Sequence, residues 1–287
     1  RGRALLHSSD DAARGVSLEA LIAGGQPLEE TDLRALLADS NPLLRSLAAA
    51  GARLSSAMTP EVDVAVAASL RGLNPEALAA VTRVIHTAVQ NASAGGSGET
   101  ARLLALVKEV WPSADAAFKA EALGALEKVA AQGDGGIEAL AAAELGHADA
   151  GVRAAAYRIL GALRTERGMA LAAQGLEDSN KLARENAAAA LAAYGERALP
   201  LATEKLSASR AEVADAAILA LGRIRTRRAE DALFEFMQAD YRQVRQNLAW
   251  LEHIGSANGI WAPLRTAIED SNQRTVRRVL HLLAAMG

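Results

Sequence analysis

Five apolar stretches open at Val152, Ala183, Val213, Val244 and Val276, at successive intervals of 31, 30, 31 and 32 residues. A recurrence of that length constrains the fold more than any other feature of the chain. Each copy is too short to bury its own apolar face and must stack on the next. Short polar breaks precede the stretches at 147–151, 178–181, 207–210, 239–242 and 270–275. Within a stretch the apolar positions recur at helical spacing: Val152, Ala156, Ile159 and Leu163, then Val244, Leu248 and Leu251, then Val276, Leu280 and Leu283. The unit reads as helix A, tight turn, helix B, loop, since about 30 residues accommodate two helices of three to four turns. Gly161, Gly195, Gly222 and Gly255 follow four of the stretches and Gly287 ends the last. They are expected to close helix B in the left-handed conformation.

Composition agrees with thin helical layers. Half the residues are apolar (51%) but only 3% are aromatic, so the core must be Ala and Leu on closely approaching backbones. Strand formers are sparse throughout. The triplet Asp-Ser-Asn occurs at 39–41, 178–180 and 270–272, where short polar side chains cap the helix that follows. Asn41-Pro42 and Asn74-Pro75 are start signals with Pro in the first helical turn, and Thr59-Pro60 and Ser113 offer further caps. These features predict irregular helical repeats over 1–136, with a loop near 91–100 and a break at 132–136. Regular repeats over 137–287 continue from them. The expected fold is all-α, a right-handed α-solenoid of about eight helix pairs.

Several classes are excluded. Without cysteine there is neither a disulfide scaffold nor a Cys-ligated metal centre. No run of 18 apolar residues offers a membrane span. The 31 basic and 34 acidic side chains leave a net charge of −3, which argues against a general polyanion binder. The start at Arg1 reads as a trimmed chain or a fragment. A cytoplasmic location is expected from the missing cysteines and missing signals.

The pattern Leu-x-x-x-(Leu/Ile)-x-Asp, then Val-Arg and a small-residue helix ending in Gly, resembles the HEAT repeat of the armadillo-like superfamily. Ile260, Pro263, Leu264, Ile268, Asp270, Val276, Arg277 and Leu283 carry it best. Pro263 and Pro200 stand where that family often kinks helix A. The resemblance implies a scaffold whose stacked B helices line a concave surface. The last repeat, from Arg277-Arg278 to Leu283, is also similar to HEAT segments in bacterial nucleotide-transporter fusions. That likeness implies a regulatory module beside a membrane transporter or a cyclic-nucleotide-responsive domain.

Two rows of residues are candidates for function. Arg153, Arg184, Arg245 and Arg277 form a column, with Asp149, Asp178, Asp240 and Asp270 about a turn earlier. The column reads as a structural ladder, each Arg bonding turn carbonyls or a carboxylate between repeats, rather than as a ligand site. On the other flank of helix B lie Arg158, Glu185, Asp215, Gln246, Trp250, His253 and Arg278. This row either packs against the neighbouring repeat or lines a groove in which Trp250 and His253 anchor a partner protein or helix.

Arg223, Arg225, Arg227 and Arg228 crowd one loop, which reads as solvated rather than phosphate-binding because no aromatic residue interleaves with them. Phosphate-loop, His-Glu-x-x-His and Gly-x-Ser-x-Gly motifs are missing, and the histidines at 7, 86, 147, 253 and 281 stand singly. The expectation is therefore a non-enzymatic scaffold with no cofactor and a protein partner. A HEAT-like nucleic-acid-binding protein or enzyme is the remoter alternative.

Overall fold

In a computed structural model of the chain, residues 3–55, 59–92, 97–130 and 135–239 are described. They form fourteen α-helices joined by short turns and 3-10 segments, with no strand among the described residues. The chain divides into two compact units, Arg1–Glu144 and Leu145–Gly287.

The first unit holds α1 (Asp11–Ala23), α2 (Glu30–Leu37), α3 (Pro42–Leu54), α4 (Pro60–Ser69), α5 (Pro75–Ala92), α6 (Ser97–Val110), α7 (Ala116–Ala130) and α8 (Gly135–Ala143). The odd helices stack in sequence, α1 on α3, α3 on α5 and α5 on α7, while α2 and α4 pack on α3. Helix α6 breaks the alternation by packing on both α3 and α5. As a result α3 is the centre of the unit. Its whole stretch from Ser46 to Ala52 is buried. Alanine and glycine make that possible: a Cβ on Gly51 would sit 2.8 Å from Cγ1 of Ile22 on α1. Arg53, at the end of α3, ties the unit together by pairing with Asp63 of α4 (2.6 Å) and with Glu109 of α6.

The second unit is more regular. Its described helices are α9 (Ala150–Leu163), α10 (Glu166–Gly175), α11 (Lys181–Ala192), α12 (Leu199–Leu206), α13 (Ala211–Ile224) and α14 (Arg227–Ala239). The B helices stack as α9, α11, α13 and the A helices as α10, α12, α14, each in contact with its counterpart one pair later. That is the solenoid rule of nearest-neighbour packing. Leu160 and Ile159 of α9, Leu191 of α11 and Leu221 of α13 are almost fully buried between the layers. Burying each contributes about 2 kcal/mol against the entropy of ordering the chain.

Several sequence expectations need correcting. Gly161 lies inside α9, where a Cβ would come 2.7 Å from Cα of Ala190, so its role is close approach between α9 and α11. Gly222 likewise lies inside α13. The residues that leave these helices in the left-handed conformation are Arg164 and Arg225, each at φ 55°. Gly195 does adopt that conformation, at φ 63°, after α11. Pro200 stands in the first turn of α12 rather than kinking it, because a 3-10 segment (Gly195–Ala198) precedes it. The loop expected over 91–100 is shorter, since α5 runs to Ala92 and α6 begins at Ser97. Asp115, not Ser113, caps α7: its Oδ1 accepts from the Phe118 amide at 2.8 Å. Ala239, the first residue of the break expected at 239–242, still belongs to α14, while residues 240–242, the break at 270–275, Gly255 and Pro263 lie outside the described residues.

Candidate protein-interaction face

The polar turns that enter the B helices set the register of the site. At 178–180, Asp178 Oδ1 accepts from the Asn180 amide (2.8 Å) and Asn180 Oδ1 accepts from the Leu182 amide (2.9 Å). One residue thus caps the turn and the next caps the helix. Arg184 reaches back and donates Nη1 to the carbonyls of Asp178 (2.8 Å) and Ser179 (3.0 Å). Arg153, on the preceding B helix, donates Nε to Asp178 Oδ2 (2.7 Å) and Nη2 to Oδ1 (2.8 Å). Its Nη1 meanwhile bonds the carbonyls of its own turn at His147 and Ala148.

The first unit repeats the turn bonds of this network, while its arginine on the preceding helix gives only one arm to the carboxylate and the other to Asp11. Asp39 accepts from the Asn41 amide, Asn41 from the Leu43 amide, and Arg45 donates to the carbonyls of Asp39 and Ser40. Arg14 of α1 supplies the partner to the Asp39 carboxylate. Burial alone would raise the Asp178 carboxyl, but the Arg153 fork and the Asn180 amide outweigh it and hold the group below the ordinary carboxylate value. Asp39 is lowered too, chiefly by the Asn41 amide. Asp149 does not pair with the Arg of its own repeat; it is the N-cap of α9, accepting from the amides of Gly151 and Val152.

The network stops at the next turn. Ala208 stands two residues before the N-cap of α13, the place Asp178 holds before Asn180, and Ala214 replaces the helix-B arginine. Arg210 occupies the N-cap of α13 without a side-chain cap bond and instead donates to the Glu177 carbonyl at 3.1 Å.

Beside these turns runs the outward row of the B helices. Arg158 on α9, Glu185 on α11 and Asp215 on α13 are all half-buried. Glu185 lies 3.7 Å from Lys181 one turn earlier. Burial and then the neighbouring Glu212 push the Asp215 carboxyl above its ordinary value, with Arg184 offsetting part of the effect. Its Oδ1 is buried without a hydrogen-bond partner. Ala189 and Leu219 fill the floor one turn on, both half-buried. At the head of α11, Leu182 is 50% exposed, one of few large apolar side chains so placed. Sequence reading missed Leu182, because it precedes the periodic apolar run that marks helix B.

The row is open where the corresponding face of the first unit is closed. Over α3 the flanking helices α1 and α5 touch, and Arg83 of α5 bonds Glu19 of α1 at 2.6 Å. Outward positions of α11 remain in contact with solvent. The remaining members of the two rows, Arg245, Gln246, Trp250, His253, Arg277 and Arg278, lie outside the described residues.

One buried ionisable cluster of the first unit is paired structurally. Glu144, 8% exposed, accepts from Trp111 Nε1 (2.7 Å) and Lys119 Nζ (3.1 Å), and Lys119 lies 5.3 Å from the Trp111 ring centre. Among the described residues no cluster of His, Asp and Glu has the makings of a metal site. No helix among them is long and apolar enough to cross a membrane.

Residues 169–251 match the family model of HEAT repeats. No curated protein matches the chain. Among solved structures, one engineered protein is similar at 16% identity and a TM-score of 0.33, covering 100% of this chain and 98% of its own. A second engineered protein is similar at 17% identity and a TM-score of 0.29, covering 78% of this chain and 95% of its own. Scores this low establish no shared architecture.

Proposed function

We propose that this HEAT-repeat chain is a non-enzymatic scaffold that takes a protein partner, as a helix or extended segment, along the outward row of its B helices. HEAT repeats generally serve as protein-interaction scaffolds. The observation that carries the reading is the half-exposed face of α11, with Leu182 at its head, an Ala189–Leu219 floor and flanking charges at Arg158, Glu185 and Asp215. An apolar strip between charged rims suits an amphipathic partner helix. In sequence the same register continues through Gln246, Trp250, His253 and Arg278, which supply the aromatic and arginine anchors typical of binding hot spots.

The test is affinity capture with the full chain, followed by titration of the captured protein against variants. Arg158→Glu and Trp250→Ala each weaken the complex about tenfold or more while helicity is retained. Unchanged affinity in both variants removes the B-helix row as the site.

A further inference from the structure

Opposite the capped turns, the loops leading from each B helix to the next A helix form a second feature of the second unit. Arg197, in the 3-10 segment after α11, pairs with Glu166 at the start of α10. Arg228, at the start of α14, pairs with Glu196 at 3.3 Å. These two links join the loops after α9, α11 and α13 into one continuous edge. They also occupy Glu166 and Glu196, the only acidic residues of segments 164–167, 195–198 and 223–228.

Arg164, Arg167, Arg223 and Arg225 remain exposed, with no ion-pair or hydrogen-bond partner for their side chains among the described residues. Arg227 adds a fifth exposed guanidinium, 3.9 Å from Asp231. Every cation of these loops is arginine; both lysines of the described second unit, Lys181 and Lys205, sit at the opposite turns.

Backbone conformation singles out two of these arginines. Among the described residues Arg164 and Arg225 are the non-glycine residues at positive φ, and both take the position after a B helix where a Cβ is disfavoured. Gly195 fills the comparable role after α11. Glycine would relax both sites, so packing and turn geometry do not account for arginine there.

We infer that this edge binds an acidic protein segment carrying two separate carboxylate clusters. One would meet Arg164 and Arg167, and the other Arg223, Arg225 and Arg227. Planar guanidinium forks match carboxylates in pairs, which a set of lysines would not do. Packed helices stand about 8–10 Å apart, so the ends of α9 and α13 are separated by about 16–20 Å, the span of about six extended residues. Between the two clusters the edge is neutralised by its own ion pairs. A uniformly charged nucleic acid strand would therefore meet Glu166 and Glu196, with no aromatic side chain in these loops for its bases. The edge is distinct from the B-helix row, and its test stands whether or not that row binds a partner.

The experiment is fluorescence anisotropy of the full chain with a peptide of two glutamates, six uncharged residues and two glutamates. It is run at about 0.15 M salt, where exposed charges more than about 8 Å apart are screened. Saturable binding is expected, and it falls about tenfold when the four glutamates are gathered in the middle of the peptide. The double variant Arg164→Gly, Arg225→Gly binds about tenfold more weakly while its Tm is no lower than that of the parent. Arg167→Gln with Arg223→Gln weakens binding similarly and touches neither strained position. Failure of the spaced peptide to bind, binding by both variant pairs as tight as that of the parent, or tighter binding of a single-stranded oligonucleotide of equal charge would overturn the proposal.

Discussion

Arg153 holds Asp178 from the neighbouring repeat with both arms of its guanidinium, at 2.7 and 2.8 Å, and Arg14 reaches Asp39 across the same 25-residue separation in the other unit. The side chains of Arg153 and Asp178 are only 11% and 6% exposed. Removing one member therefore leaves a largely desolvated charge. Arg153→Ala or Asp178→Ala is expected to lose about 3 kcal/mol of stability in urea unfolding, and the double variant less than the sum. Strict additivity would mean the two groups do not act as a pair.

The same carboxylates fix the acid limb of stability. Asp178 and Asp39 are lowered in the folded chain, so their contribution is complete above the ordinary Asp value of 3.8 and is lost as pH falls through their folded values. Tm followed from pH 6 to pH 2 should drop below about pH 4. The drop should be smaller in Asp178→Asn.

Asp215 titrates in the other direction. Its carboxyl is raised by burial and by Glu212, so folding is most favoured while the group is protonated and loses ground as pH rises from 3.8 through its folded value. Asp215→Asn should raise Tm at pH 7 by about 2 °C and leave Tm at pH 3 nearly unchanged. A lower Tm at pH 7 would show that the carboxylate is better accommodated than its unpartnered Oδ1 implies.

Gly161 should not tolerate a methyl group. Its Cβ would lie 2.7 Å from backbone and 3.1 Å from the side chain of Ala190, neither of which yields by rotamer change. Gly161→Ala is expected to cost about 2 kcal/mol in thermal or denaturant unfolding. An unchanged midpoint would mean that α9 and α11 can slide apart freely.

Restoring the missing network at 207–214 should stabilise the second unit. Ala208→Asp, Arg210→Asn and Ala214→Arg together supply the carboxylate, the cap and the turn-binding arginine that Asp178, Asn180 and Arg184 provide one repeat earlier. A gain of about 1–2 kcal/mol in urea unfolding is expected.

Much of this architecture was legible in the chain itself. The polar breaks before Val152, Ala183 and Val213 coincide with the starts of α9, α11 and α13, because periodicity reports helix phase and caps report helix ends. Arg14 was not legible as the partner of Asp39. It sits in an irregular first pair, and nothing local to it records which turn it will face. The glycines misled for a related reason. A Gly near a helix end is chemically suited both to a left-handed exit and to a close helix contact, and only the neighbouring repeat decides between them. The pairing of Glu166 with Arg197 and of Glu196 with Arg228 likewise depends on stacking, not on local sequence.

The turn at 207–210, which lacks the Arg–Asp bond, predicts two cooperative blocks among the described helices of the second unit. Upstream, α9 to α12 are laced by the Arg153–Asp178 bond and its carbonyl contacts. Downstream, α13 and α14 adhere through apolar packing and a few rim charges. Amide protons of α13 and α14 should consequently exchange with deuterium as one group, ahead of those in α9 and α11. Exchange of all these helices at one common rate would mean that apolar packing alone couples α13 to α11 as firmly as the Arg–Asp bond couples α11 to α9.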